Sequence, residues 1–112
     1  MGTSNANPEF LKGTLDMLVL KTLTLGPNHG YGIARHIRRV SAEAFRVGEG
    51  SLYPALQRLL VNGWVRAEWS LTETNRKARV YRITAAGRKQ LAEEVREFDF
   101  LLAGIARVME SA

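Results

Sequence analysis

A chain of 112 residues with a formal charge of +5 and no cysteine fits one domain, and it excludes a disulfide frame, a thiolate metal site and a cysteine nucleophile. Folding at this length buries about two thirds of the surface that the unfolded chain exposes, so a second chain would add to its stability. No run of about 18 apolar residues is present and no basic-then-apolar segment opens the chain, so neither a membrane span nor a secretory signal is expected and the expected compartment is cytoplasmic.

The charge is unevenly spread. Between Gly30 and Leu91 twelve arginines and lysines face four glutamates, whereas the two ends together hold four cations and seven carboxylates. A basic middle between neutral-to-acidic ends suits a polyanion-binding centre held by other parts; a solvated basic surface is the alternative for charge taken alone.

Residues 1–9 begin with a small, polar run that has no apolar face and are expected to form a mobile arm. From Phe10, Leu11, Leu15, Leu18, Val19, Thr22 and Leu23 recur at helical steps until Gly26-Pro27 stops them. This helix is apolar over a wide arc, which directs Phe10 and Leu11 toward a second chain. Asn28 to Gly32 then reads as a turn into a second helix from Tyr31 to about Val40, with Ile33, Ile37 and Val40 inward and Arg35, Arg38 and Arg39 outward. Two helices joined by a short glycine-containing turn begin a helix-turn-helix. Gly26, Gly30 and Gly32 follow a helix rather than a strand and do not make a nucleotide loop. His29 and His36 lack partners at metal spacing and read as turn and surface residues.

Ser41 to Gly48 is a connection in which Phe45, Arg46 and Val47 suggest a short edge strand. The next helix, from a cap at Gly50 or Ser51 to Asn62-Gly63, sets Leu52, Leu56, Leu59 and Leu60 on one side. Ser51, Pro54, Ala55, Gln57, Arg58 and Asn62 fall mostly on the other. Such a short-chained, hydrogen-bonding face is what a DNA-reading helix needs. Trp64 to Leu71 and Ala78 to Ile83 read as paired strands around a polar turn, where Asn75 can take a positive φ. With Arg76, Lys77 and Arg79 at its tip, this hairpin has the form of a wing able to reach DNA phosphates. Thr84 caps a last helix, where Leu91, Val95, Phe98, Leu102, Ile105 and Met109 are spaced 4, 3, 4, 3 and 4 residues apart, a heptad seam. A helix of roughly 39 Å projecting from so small a domain calls for a second copy along that seam; folding back onto its own core is the alternative.

The strings HGYGIA from His29, GSLYPALQRL from Gly50 and VYRITAAG from Val80, together with the tryptophan strand, the basic turn and the long apolar helix, resemble the PadR family of bacterial transcriptional regulators, in its short class with a single C-terminal helix. The likeness covers roughly Phe10 to Leu91. It implies a winged helix-turn-helix dimer joined through the first and last helices, usually a repressor released by a small molecule or another signal. Gly50, Ser51, Tyr53 and Pro54 match the start of the family's recognition helix, and Arg76 and Arg79 match its basic wing. Three positions depart from the pattern: Leu60 stands where an acidic residue is common, Asn75 replaces a wing glycine, and Arg76-Lys77-Ala78-Arg79 replaces an arginine-proline-arginine-lysine run.

The expected fold is therefore mainly α with a small β-hairpin: a winged helix-turn-helix over residues 10–84 and a dimerisation helix over 85–112. The expected function is that of a dimeric regulator reading an inverted repeat in double-stranded DNA. Ser51 and Gln57 are the candidates for base edges, glutamine being able to pair twice with adenine. Arg35, Arg58, Arg76, Lys77 and Arg79 are candidates for phosphates, and Tyr53 offers a hydroxyl, with packing beside Leu56 as its alternative role. Trp64 and Trp69 read as hairpin and core residues, stacking on an aromatic effector being their second role. No catalytic residue, cofactor or metal is expected, and nothing fixes the chemistry of a small-molecule effector. The rival reading, a winged helix that binds protein alone, predicts no salt-dependent DNA affinity.

Overall fold

The computed structural model describes residues 8–112, with side chains from Gly13 onward. The elements are α1 (Pro8–Leu23), β1 (Asn28–His29), α2 (Gly30–Val40), α3 (Glu49–Val61), β2 (Val65–Leu71), β3 (Lys77–Ile83) and α4 (Ala85–Glu110). Pro8 and Glu9 already belong to α1, two residues before the expected start. Residues 1–7 of the expected arm, and the side chains of Phe10 and Leu11, lie outside what is described.

The apolar periodicities meet in one core. Val19, Leu20 and Leu23 of α1, Ile33 and Ile37 of α2, and Leu52, Leu56 and Leu59 of α3 are buried together, closed by Val65 and Tyr81 of the sheet. Fully burying a large apolar side chain stabilises by about 1.5–3 kcal/mol, so these contacts dominate the fold.

The sheet is antiparallel with order β1-β3-β2. β2 and β3 pair from Val65↔Ile83 to Leu71↔Lys77, and Asn75 takes φ 63° at the turn, as its residue type suggested. The third strand was not expected: Asn28 and His29 pair with Tyr81 and Val80, and two residues are too few to show a period. The edge strand expected at Phe45 to Val47 does not form. Ser41 holds this segment in a turn, its carbonyl accepting from the Ala44 N–H at 3.1 Å and its hydroxyl from the Phe45 N–H at 3.1 Å.

α3 begins earlier than expected, with Gly48 rather than Gly50 or Ser51 as its cap. Pro54 therefore lies past the first turn, where it offers no N–H to the Gly50 carbonyl. Gly50 and Pro54 are both exposed, so water can serve that carbonyl and the helix tolerates the proline.

Thr84 caps α4 as expected: its hydroxyl accepts the Gly87 N–H at 3.0 Å and donates to the Gly63 carbonyl at 2.7 Å. Gly87 has no alternative side chain, because a Cβ there would collide with the Trp64 carbonyl. Leu91 packs against the core and α4 continues along α1 as far as Phe98, after which the helix runs free; Ile105 is 50% exposed and Met109 77%.

Where α4 passes α1, Glu94 is half-buried and one carboxylate oxygen, Oε1, has no hydrogen-bond partner among the described residues. Burial pushes its carboxyl above the ordinary range, opposed by the hydrogen bond from Gln90 and reinforced by the charges of Asp16 and Glu97. A folded-state pKa above the unfolded one means the folded protein holds the proton more tightly. This group's contribution to stability is therefore greatest below the unfolded pKa and falls as pH rises through the window between the two values. Glu94→Gln is expected to melt above the parent at pH 7, the gap closing as pH drops into the ordinary carboxylate range, read by thermal melts across pH.

Candidate nucleic-acid interface

The buried face of α3 fixes what its other face offers. With Leu52, Leu56 and Leu59 in the core, Gly50, Tyr53, Pro54, Gln57 and Val61 fall on one exposed stripe, with Ser51 beside it. Ala55 does not share this face as expected: it is fully buried, since it stands three residues after Leu52 and four before Leu59 on the inner side. Val61, which was not among the residues expected on this face, is 76% exposed on it.

Tyr53 is neither in the core nor free. It lies across the start of α2, where a Cβ on Gly30 would come within 3.0 Å of its hydroxyl oxygen and 3.2 Å of its ring. A glycine at the first position of α2 thus makes room for the tyrosine, which remains 47% exposed. His29 prepares the same corner. Its Nδ1 accepts the Gly32 N–H at 3.1 Å, capping α2, and its ring stacks with Tyr31 at a centroid distance of 6.4 Å. The capping role was missed because histidine is not a usual cap residue.

Alternation along the strands shapes the wing. Val65, Ala67, Tyr81 and Ile83 share the face that closes the core, and farther out the same face carries Trp69, Leu71, Lys77 and Arg79. The wing therefore turns an aromatic and basic surface toward α3. Arg79 sits 6.0 Å from the Trp69 ring centroid, directly across the strand pair, so the indole supports the guanidinium while leaving its N–H groups available. Arg82 belongs to the opposite face and pairs with Glu68 at 3.4 Å. At the tip, Thr72 Oγ1 accepts the Arg76 N–H at 3.1 Å, which anchors the turn carrying Arg76 and Lys77.

Between wing and helix lies a cleft of about 480 Å³, lined by His29, Tyr31, Tyr53, Trp69, Lys77 and Arg79, with Tyr81 at its floor. Burial pushes the Tyr81 phenol above its ordinary value; Arg79 opposes this rise and Tyr53 adds to it. Among the described residues Arg35, Arg76, Lys77 and Arg79 are exposed and have no carboxylate at ion-pair distance.

Arg58, expected on the outer face, is placed otherwise. It turns toward α1 and pairs with Asp16 at 2.7 Å, which removes it from the set of free cations. The structure thus brings Tyr53, Lys77 and Arg79 to one cleft, with Gln57 one turn after Tyr53 on the exposed stripe of α3, Ser51 on the flank of that helix shared with Arg58, Arg76 at the wing tip and Arg35 on the exposed side of α2. Trp69 and Tyr31 join the cleft although neither was expected there. In the seam, Leu91 and Phe98 are half-buried within their own protomer, while Val95, Leu102, Ile105 and Met109 are exposed.

The family model described as the transcriptional regulator PadR-like family matches residues 19–93. A transcriptional regulator of Mycobacterium tuberculosis is 32% identical over 93 residues, which cover 83% of each chain. A protein of transposon Tn4556 from Streptomyces fradiae is 44% identical over 96 residues, 86% of this chain but 25% of that longer protein. The structure of a transcriptional regulator from Clostridium thermocellum superposes with a TM-score of 0.80 at 29% identity, over 88% of this chain and 96% of the other.

Proposed function

This chain belongs to the PadR-like family of transcriptional regulators, and from that footing we propose that it is a dimeric repressor that reads an inverted repeat in double-stranded DNA. The fold is a winged helix, and the family's work is regulation of transcription rather than catalysis. The observation that carries the proposal is the single surface shared by the exposed stripe of α3 and the basic face of the wing, separated by one cleft.

The division of labour follows from reach and chemistry. Ser51 and Gln57 stand on the exposed side of α3 with short or flexible polar side chains, suited to base edges in a major groove. Gly50 and Pro54 keep the intervening surface low, so that the backbone can come close. Arg79 and Lys77 face the cleft from the wing and Arg76 stands at its tip, positions from which the phosphates beside the groove are held. Tyr53 adds a hydroxyl and Arg35 a charge from α2. Such phosphate contacts fix register, while base contacts choose sequence.

Two copies joined along Val95, Leu102, Ile105 and Met109 bury a face that one copy leaves in water. Their recognition helices then enter successive major grooves about 34 Å apart. A small molecule that alters how the copies are joined would change that spacing and release the DNA. Among the described residues no helix is long and apolar enough to cross a membrane.

The test is selection from a random duplex library at near-physiological salt. Recovery of an inverted repeat with half-site centres about 10 base pairs apart is expected. A folded, dimeric protein that enriches nothing would overturn the DNA reading in favour of a winged helix that binds protein.

A further inference from the structure

Arg58 leaves the DNA-facing side of α3 for a carboxylate 42 residues earlier in the chain. Its Nη2 donates to Asp16 Oδ1 at 2.7 Å and its Nε to Asp16 Oδ2 at 3.2 Å, a two-point fork between α3 and α1. Asp16 is 8% exposed and stands one turn before the fully buried Val19 and Leu20. Its carboxylate therefore cannot touch DNA. The same arginine anchors the helix's end: its carbonyl accepts from the Asn62 backbone at 3.0 Å and from the Asn62 side chain at 2.8 Å.

Among the described residues the buried side chains of α3 are apolar. Leu52, Ala55, Leu56 and Leu59 favour burial of that face but are tolerant of small rotations and slides, because dispersion contacts carry little directionality. A guanidinium-carboxylate fork is directional, since two parallel hydrogen bonds fix both distance and plane. A pair at this depth adds little net stability, the desolvation of both charges offsetting their attraction, and its strength lies in selecting one arrangement. For a helix that reads bases this matters greatly: recognition tolerates errors of only about 10–20° in side-chain placement.

We infer that Asp16 and Arg58 are positioning residues for DNA reading: the fork sets the rotation of α3 so that Ser51 and Gln57 meet the groove, and neither member of the pair contacts DNA. The inference rests on the DNA-reading function proposed above. It assigns Arg58 a role opposite in kind to that of the wing arginines. Those neutralise phosphates and act on every sequence alike, whereas the fork acts only where geometry is read.

The experiment compares the full chain with Asp16→Asn, Arg58→Met and Arg58→Lys. Two duplexes serve as probes, one carrying the inverted repeat recovered by selection and one of scrambled sequence, each titrated by fluorescence anisotropy between about 50 and 200 mM salt. Circular dichroism checks folding. Asp16→Asn keeps the shape of the carboxylate and carries the test alone if an Arg58 variant does not fold. The expected result is a loss of about tenfold or more in preference for the repeat in all three variants, the size of one spoiled base contact. Lysine fails with methionine because an ammonium is a point charge and cannot form the fork. In Arg58→Met the dependence of binding on salt stays that of the parent. If that dependence weakened by about 0.9 in the log-log slope for each half-site, Arg58 would be a phosphate contact and the inference would be overturned. Preference retained by folded Asp16→Asn or Arg58→Met would overturn it as well, leaving the fork a purely structural pair. A parent protein with no preference at all would instead refute the DNA-reading function, which separates the two failures.

Discussion

Ile105→Glu is expected to halve the mass of the protein in sedimentation and to weaken operator binding by about 10²–10⁴-fold, the advantage lost when two linked half-site contacts become separate events. Ile105 is 50% exposed in the single copy and stands on the part of α4 that has left its own core, so a glutamate there stays in water until a second copy arrives. Pairing would then bury a carboxylate without a partner, at a cost of several kcal/mol. A two-fold interface doubles that cost, because the same substitution occurs on both chains. The choice of position is important. Phe98 belongs to the same heptad seam but is half-buried against α1, so a charge there would damage the protomer and the interface together. With Ile105→Glu the far-ultraviolet spectrum and helical content of the domain should persist while the mass falls. A full dimer mass for the variant would sink the seam as the joining surface.

The elements that announced themselves in the sequence were those with a long period or a decisive punctuation residue. Gly26-Pro27 and Asn62-Gly63 marked helix ends, Thr84 marked a helix start, and the seam of α4 extended over five intervals. Asn75 was identified as the turn residue by its tolerance of positive φ alone. What stayed hidden depended on few residues or on contacts distant in the chain. β1 has two residues and exists only because β3 offers a free edge. The Phe45–Val47 strand was suggested by β-propensity, yet Ser41 takes the Phe45 N–H and holds the segment in a turn. Within the site, spacing identified part of the exposed stripe of α3: Pro54 and Gln57 lie on it opposite the buried leucines, whereas Ala55 is buried and Val61 was not on the expected face. Spacing could not identify the fate of Arg58, which lies at the border of that stripe and is decided by Asp16 in another helix. Trp69 entered the cleft for a related reason: its direction depends on how strand alternation continues past the edge of the core, a matter of sheet length rather than of hydrophobicity. Tyr31 is brought there in the first turn of α2 by stacking on His29.

Arg79→Ala and Gln57→Ala are expected to fail in different ways, and the contrast tests the whole assignment of the surface. Arg79 is exposed, has no carboxylate partner among the described residues and lies over Trp69, so its charge is held in place without being neutralised. Removing it should weaken binding to the selected repeat and to scrambled duplex by similar factors, and lower the log-log salt slope by about 0.9 for each half-site that loses a phosphate contact. Gln57 carries no charge, and its amide acts only through a donor and an acceptor presented together. Its loss should leave the salt slope unchanged and remove preference at one position of each half-site, at about 1–3 kcal/mol for each contact. A repeat of the library selection with each variant gives the clearest measurement. The Arg79 variant should recover the parent motif from fewer molecules, and the Gln57 variant should recover a motif blurred at one symmetric pair of positions. Reversal of those outcomes, with Arg79→Ala changing the sequence chosen and Gln57→Ala changing only the salt response, would mean that the wing reads bases and α3 holds the backbone. The cleft between them would then face the other way on the duplex.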